Sequence, residues 1–438
     1  MYLTKEEENW YSGEKGPVLE WATKILVEYG EALGAERLLD LDFGGLGSFP
    51  QQVFQTDSSY MPSIRGDPPP ETWEYIRKNG YAITIGTHIR RDTDHWREYG
   101  FTEKENKEAI NINKKLDELI IKFGIIPTHT CAPYNVGFLG TGPHFGSHMA
   151  SSESSLVIFL NSIIGARLMR DDYPSLLASH ITGKSPAADL HLNENRQGKI
   201  LFNIESNSLN MSDYNILGIY IGKICRKKIP VLTGIPRNVD VDKLKQFGAS
   251  AAIGGGLAMY HIVGVTPEAP TVEKAFGSRK PEEIISINED QLKKGKEELN
   301  TYGPEKIDVV CLGCPHASIR QLHKYAMLIK NKKVHNNTEL WIHAAPQTIY
   351  EAKIFGIADI IYAAGGKLIS NCILETAGGS QGNAHRNGLF SKRMPHIKVV
   401  ATDSGKWGKC LPYRLGVDLW FGSDKDCIES AIAGGWIK

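Results

Sequence analysis

Four short apolar runs in the last third of the chain constrain the fold more than any other feature: residues 306–312 (KIDVVCL), 340–343 (LWIH), 367–370 (KLIS) and 396–401 (HIKVVA). Stretches with helical spacing, residues 318–330 and 347–355, separate the first three. Runs this short and apolar read as strands covered on both faces, and strands that alternate with helices pair in parallel. The expected architecture is α/β, with several subdomains and a doubly wound parallel sheet in the C-terminal third. Three runs end in turns that carry chemistry: Gly313-Cys314-Pro315-His316, Asn371-Cys372 and Thr402-Asp403-Ser404-Gly405-Lys406. Carboxyl ends of strands are where open α/β sheets bind ligands. Cys311 lies inside a strand, where alternation should turn it away from Cys314. Zinc or redox chemistry at Cys311-x-x-Cys314 is the lesser reading.

A second dense segment spans residues 130–170. It opens on Cys131 in a loop and passes through a glycine-rich run with His144 and His148. It then reaches Ser151-Ser152-Glu153-Ser154-Ser155. Leu156, Phe159, Leu160 and Ile163 follow at helical intervals, with Val157, Ile158 and Ile164 filling the other faces, so a buried helix is expected. Ser151 or Ser152 would cap it, Glu153 would sit at the favourable end of its dipole, and Gly165 would stop it. A helix N-terminus of this kind receives anions. The plainer alternative is an ordinary capped core helix.

Elsewhere, residues 17–33 and 104–123 predict helices, residues 37–43 and 81–85 predict strands, and Gly44-Gly45-Leu46-Gly47-Ser48 forms a loop. Gly254-Gly255-Gly256 lacks the spacing of a dinucleotide fingerprint. The charged, proline-bearing stretch 265–300 suggests the main linker. The expected division is therefore 1–125, 126–300 and 301–438. Charge balances, with 50 Lys+Arg against 50 Asp+Glu, which argues against nucleic-acid and membrane-surface partners. No apolar run would span a bilayer, and the acidic N-terminus does not read as a leader, so a cytoplasmic location is expected. Seven scattered cysteines (131, 225, 311, 314, 372, 410, 427) suit thiol or metal chemistry better than disulfides. Cys131, Cys314 and Cys372 lie in loops, an arrangement compatible with an iron–sulfur cluster open to substrate. Cys225, Cys410 and Cys427 read as core or surface thiols; His144, His148, His191 and His316 could support the site from behind its ligands, but read as structural more than catalytic.

The run TCAPY, GPHFGSHMASSESS, FLNSIIGAR and LHLNENR, with GCPHAS, NC and TDSGK after it, closely resembles the large subunit of the aconitase X family, over roughly residues 125–438. The resemblance implies an aconitase-like α/β fold and a hydro-lyase, known members of which dehydrate mevalonate 5-phosphate or cis-3-hydroxy-L-proline. It implies an iron–sulfur cluster on Cys131, Cys314 and Cys372, expected as 4Fe-4S, with 2Fe-2S or mononuclear iron as alternatives. Glu153 and Lys406 become the catalytic candidates, Lys406 through the family's Asp/Asn-Ser-Ala-Lys motif. Ser154, Ser155, Ser404, Arg167, Gly47 and Ser48 become substrate-binding candidates. In the expected reaction the iron is a Lewis acid for the leaving hydroxyl, a base removes the proton from the adjacent carbon, Lys406 binds the substrate's anionic group, and Glu153 orients the hydroxyl or assists proton transfer. Two N-terminal loops depart from the family pattern, at residues 42–48 and 83–88. Asn371 replaces a common Thr, and a glycine-rich insertion (375–392) suggests a lid. The family's swivelling domain is missing, which implies a separate small subunit and a heterodimer. Aconitase-type isomerisation, a non-catalytic cluster-bearing protein and a structural zinc protein are the competing expectations.

Overall fold

All nine residues of the Val309–Ala317 strand are buried, and the C-terminal third is built around it. In this computed structural model the described residues are 1–42, 68–79, 85–86, 93–122, 126–135, 142–206, 208–277, 279–301, 305–376 and 393–437. The central strand pairs in parallel with Glu339–Ala344 on one side and Val399–Thr402 on the other. Gly366–Ile369 and Asp418–Phe421 extend the sheet outward, also in parallel. By chain order the strands run 3-2-1-4-5, a doubly wound sheet whose switch point falls between Val309–Ala317 and Val399–Thr402. The expected strands are present. Asp418–Phe421, a short apolar run near the C-terminus, adds a fifth that the sequence pattern did not announce.

One expectation about this strand is corrected. Val309, Cys311 and Cys314 all enter the same hydrophobic cluster, while Val310 and Leu312 enter another. Simple alternation would have separated Cys311 from Cys314. Gly313 resets it: its φ is 89°, a conformation natural to glycine. A Cβ there would come within 2.1 Å of the His343 carbonyl oxygen.

A second parallel sheet occupies the middle of the chain, in the order His261–Ile262, Pro230–Thr233, Ile200–Ile204, Glu283–Ile287. Its outer strand lies inside the stretch expected to be a linker. Glu283–Ile287 is mostly solvent-facing and flanked by charges, which hides an edge strand from a reading based on apolarity. Helices Met211–Cys225 and Val241–Gly255 cross at glycines. A Cβ on Gly255 would stand 1.7 Å from the Gly222 oxygen, and one on Gly218 would stand 2.4 Å from the Phe247 oxygen. Gly255 of the Gly254–Gly256 triplet thus allows backbones to touch, while Gly256 caps the helix with φ 76°.

In the N-terminal part, helix Pro17–Ala32 buries Val18, Leu19, Ala22, Ile25 and Leu26 against Leu177, Ala178 and Ile181. Strand Leu38–Asp40 pairs antiparallel with Lys184–Pro186. Helix Glu103–Lys122 forms as expected. No helix among the described residues is long and apolar enough to cross a membrane.

The glycine crossing makes a prediction. Gly255→Ala adds helix propensity yet should destabilise, by about 1–3 kcal/mol, because the two helices must part. Gly256→Ala, whose Cβ would meet nothing within 4 Å, should cost only the backbone strain. Urea unfolding of both variants tests this; equal midpoints would contradict it.

Candidate active site

Glu153 and Lys406 meet across the molecule, Oε1 to Nζ at 3.3 Å, with side chains 14% and 20% exposed. Glu153 is the N-cap of helix Ser154–Phe159, a role expected of Ser151 or Ser152. Those serines fall short because the chain is still extended there: Ser151 bridges to Arg170, and its N–H donates to Asp171 Oδ2 at 2.9 Å. Glu153 Oε2 accepts from the Leu156 N–H and the Ser155 hydroxyl, both at 2.7 Å. Oε1 therefore faces Lys406 while Oε2 is fixed. Ser154 is half-buried in the first helical turn. The helix continues as a π-turn, Leu160–Ile164, and Gly165 ends it at φ 77°, the stop expected there.

Lys406 occupies the first turn of helix Gly405–Leu415, whose N-cap Ser404 spends its hydroxyl on the Trp407 N–H. Ser404 is thus committed to the cap. Asn215 clamps the turn: its Oδ1 accepts from the Gly405 N–H at 2.8 Å and from Ser250 at 2.7 Å, and its Nδ2 donates to the Asp403 carbonyl at 3.1 Å. A Cβ on Gly405 would lie 2.5 Å from Ser250 Oγ, so the turn packs too tightly for a larger residue. Burial alone would lower the lysine pKa. Glu153, then the thiols of Cys314, Cys131 and Cys410, outweigh it and hold the ammonium above its usual range.

The three candidate cysteines reach this neighbourhood, Cys131 and Cys372 from loops and Cys314 from the strand Val309–Ala317, which runs on through the turn expected at Gly313–His316. The Cys131 thiol lies beside the His316 backbone. Burial, then Glu153, raises the Cys131 thiol, while Lys406 opposes them. Burial raises Cys314 well above the ordinary thiol range against the pull of Lys406, and Cys372 and Cys131 lie within electrostatic range of it. Cys372 packs on the cluster that contains Cys314 and Cys410. All are free thiols. Among the described residues no three His, Cys, Asp or Glu side chains are drawn together in the manner of a metal site. The donor chemistry nevertheless fits an iron–sulfur group: soft thiols from two loops and a strand end, with a cation beside them to balance an anionic cluster.

His316, read from sequence as structural more than catalytic, lies on the strand of Cys314 and reaches the segments of Cys131 and Cys372. Its ring contacts Thr130 Oγ1 at 2.9 Å and the Asn371 carbonyl at 3.4 Å, and its own carbonyl accepts from Asn135 Nδ2 at 2.8 Å. Burial first, then His343, drives its pKa down to about 3. Tyr134 stacks on Phe159, centroids 3.7 Å apart, which seats the Cys131 loop on the helix that Glu153 caps. Lys245, paired with Asp242 at 2.9 Å, also donates to the His316 carbonyl. Neither Asn215 nor Lys245 was singled out from sequence; a polar residue on a buried helix face is their only signal.

Arg167 stands in a different cluster. Its guanidinium reaches the His191 carbonyl at 3.4 Å, and the His191 ring joins His148 at 3.0 Å and Ser185 at 3.2 Å. The His148 N–H donates to Asp42 Oδ2 at 2.7 Å. Gly47 and Ser48, the loop 43–48 and most of the 375–392 insertion lie outside the described residues.

Models of the first, second and third aconitase X domains match residues 1–194, 198–297 and 307–433. The chain belongs to the aconitase X family. The phosphomevalonate dehydratase large subunit of Methanocaldococcus jannaschii is 31% identical over 98% of this chain and all of that one. The cis-3-hydroxy-L-proline dehydratase of Pseudomonas aeruginosa is 28% identical over 97% of this chain and 68% of that one. The holo-form of Thermococcus kodakaraensis aconitase X superposes with a TM-score of 0.74 at 28% identity, covering 98% of this chain and all of that one. The expected family and its α/β fold are thereby established. The reaction class follows with them: these relatives are dehydratases, and this chain is a hydro-lyase.

Asp171 braces the strand entering Glu153, and burial lifts its carboxyl to about 8. The folded chain therefore holds a proton that the unfolded chain releases near 4. That contribution is full below about pH 4 and fades as pH rises towards 8. Asp171→Asn cannot ionise, so its stability relative to wild type should improve from pH 5 to pH 8.5 in urea unfolding. A constant difference would contradict the assignment.

Proposed function

We propose that this chain is the catalytic large subunit of an iron–sulfur dehydratase. Its substrate would be a small hydroxy acid of the mevalonate 5-phosphate or cis-3-hydroxy-L-proline class. The observation that carries the reading is the Lys406–Glu153 pair, set beside Cys131 and Cys314 at the switch point of the C-terminal sheet. Cys131, Cys314 and Cys372 would hold the cluster, which when bound supplies a Lewis acid for the leaving hydroxyl.

The protein's own groups divide the remaining work. Lys406 stays charged and binds the substrate's carboxylate or phosphate, exchanging Glu153 for a stronger anion. Glu153 has one oxygen anchored by two donors, so the other is aimed; it would orient the leaving hydroxyl or carry the proton taken from the adjacent carbon, so that hydroxyl and proton depart together as water. A separate small subunit completes the site. Support for it comes from the relatives named large subunits, one of which this chain matches from end to end.

With the cognate small subunit, Glu153→Gln should lower kcat by about 10²–10⁴-fold, and Lys406→Met should raise KM for the anionic substrate. The check is steady-state kinetics with mass detection of a product one water lighter. Wild-type kcat in Glu153→Gln would remove its proposed role. The large subunit assayed alone should form no such product, and full turnover by it would remove the partner.

A further inference from the structure

We infer that His316 is a positioning residue: one imidazole of fixed tautomer ties the loops of Cys131 and Cys372 to the strand end that carries Cys314, making a single thiol site. This rests on the reading that the three thiols hold one group.

The bonding polarity follows from the partners. A carbonyl oxygen only accepts, so the contact with Asn371 O at 3.4 Å places the ring proton on Nε2. Nδ1 is then bare and accepts the Thr130 hydroxyl proton at 2.9 Å. Thr130 Oγ1 in turn accepts from the Ala132 N–H at 3.0 Å, so the hydroxyl is held from both sides of Cys131. The backbone adds to this: the His316 carbonyl receives Asn135 Nδ2, from the Cys131 loop, at 2.8 Å and Lys245 Nζ at 3.3 Å. The Asn371 carbonyl also receives the His343 Nδ1 proton at 2.5 Å, which steadies the far end.

Each tether therefore ends beside a thiol. Thr130 precedes Cys131, Asn371 precedes Cys372, and His316 itself follows Cys314 by two residues. His316 is only 2% exposed, so water does not substitute for a lost bond. Such partners fix how ligands point, and losing one typically costs about 10–100-fold in metal affinity.

The test uses full-length chain, purified anaerobically, as wild type, His316→Phe, His316→Gln and Thr130→Val. Iron release into a ferrous chelator is timed, and N-ethylmaleimide labelling of each cysteine is followed in the iron-free chain. His316→Phe should release iron about 10–100-fold faster and label faster at Cys131 and Cys372, with Cys225 and Cys427 unchanged. His316→Gln, which keeps one donor and one acceptor, should recover part of both. Thr130→Val should accelerate labelling at Cys131 alone. Wild-type release and labelling in His316→Phe would overturn the inference. If wild type itself holds no iron, the cluster reading fails, and labelling alone decides: selective acceleration upholds the tie and uniform rates overturn it. If His316→Phe labels everywhere, it has not folded; Thr130→Val then decides, and wild-type labelling at Cys131 overturns the tie.

Discussion

A lysine ammonium withdrawn from water is the constraint on which the site depends. Lys406 sits in the first turn of a helix, where the dipole disfavours a cation, with only a fifth of its side chain exposed. Glu153 compensates, itself capping the N-terminus of another helix, where a carboxylate is favoured. One carboxylate against a buried cation and two helix N-termini leaves the pocket short of negative charge. An anionic substrate and an anionic cluster on nearby thiols both answer that shortage.

The scaffold is arranged to hold those charges still. Asn215 fixes the turn before Lys406, and Gly405 lets that turn pack on Ser250. On the other side, Arg196 fixes the helix that Glu153 caps. Its guanidinium reaches Asn161 Oδ1 at 2.9 Å and the Asn161 carbonyl at 3.1 Å, inside the π-turn, while holding Glu268 in a bidentate pair. A π-turn frees carbonyls that a regular helix would use, and a buried arginine satisfies one of them. The Leu-His-Leu-Asn-Glu-Asn-Arg segment thus ties the π-turn to the chain around Glu268.

Much of this was legible in the sequence. Short apolar runs punctuated by turns gave the C-terminal sheet, because a doubly covered parallel strand has no polar face to obscure it. Resemblance to a known family pointed to Glu153, Lys406 and the three candidate cysteines. What stayed hidden depended on tertiary contact. Edge strand Glu283–Ile287 is flanked by charges and faces water along most of its length. The phase shift at Gly313, which brings Cys311 and Cys314 to one core, depends on a backbone angle that glycine permits but does not require. Gly255 needed its partner Gly222 before its purpose showed. His316 was noticed, but its importance lies in bonds to Thr130 and Asn371, far away in the chain.

The account turns on whether Cys131, Cys314 and Cys372 serve one iron–sulfur group. Iron and acid-labile sulfide, counted per chain in anaerobically purified wild type and in Cys131→Ser, Cys314→Ser, Cys372→Ser and Cys225→Ser, test this most directly. The expected result is stoichiometric iron and sulfide in wild type and Cys225→Ser, with loss in each of the other three. Iron and sulfide that survive removal of any one of those three thiols, or a wild-type chain that takes up neither, would contradict it.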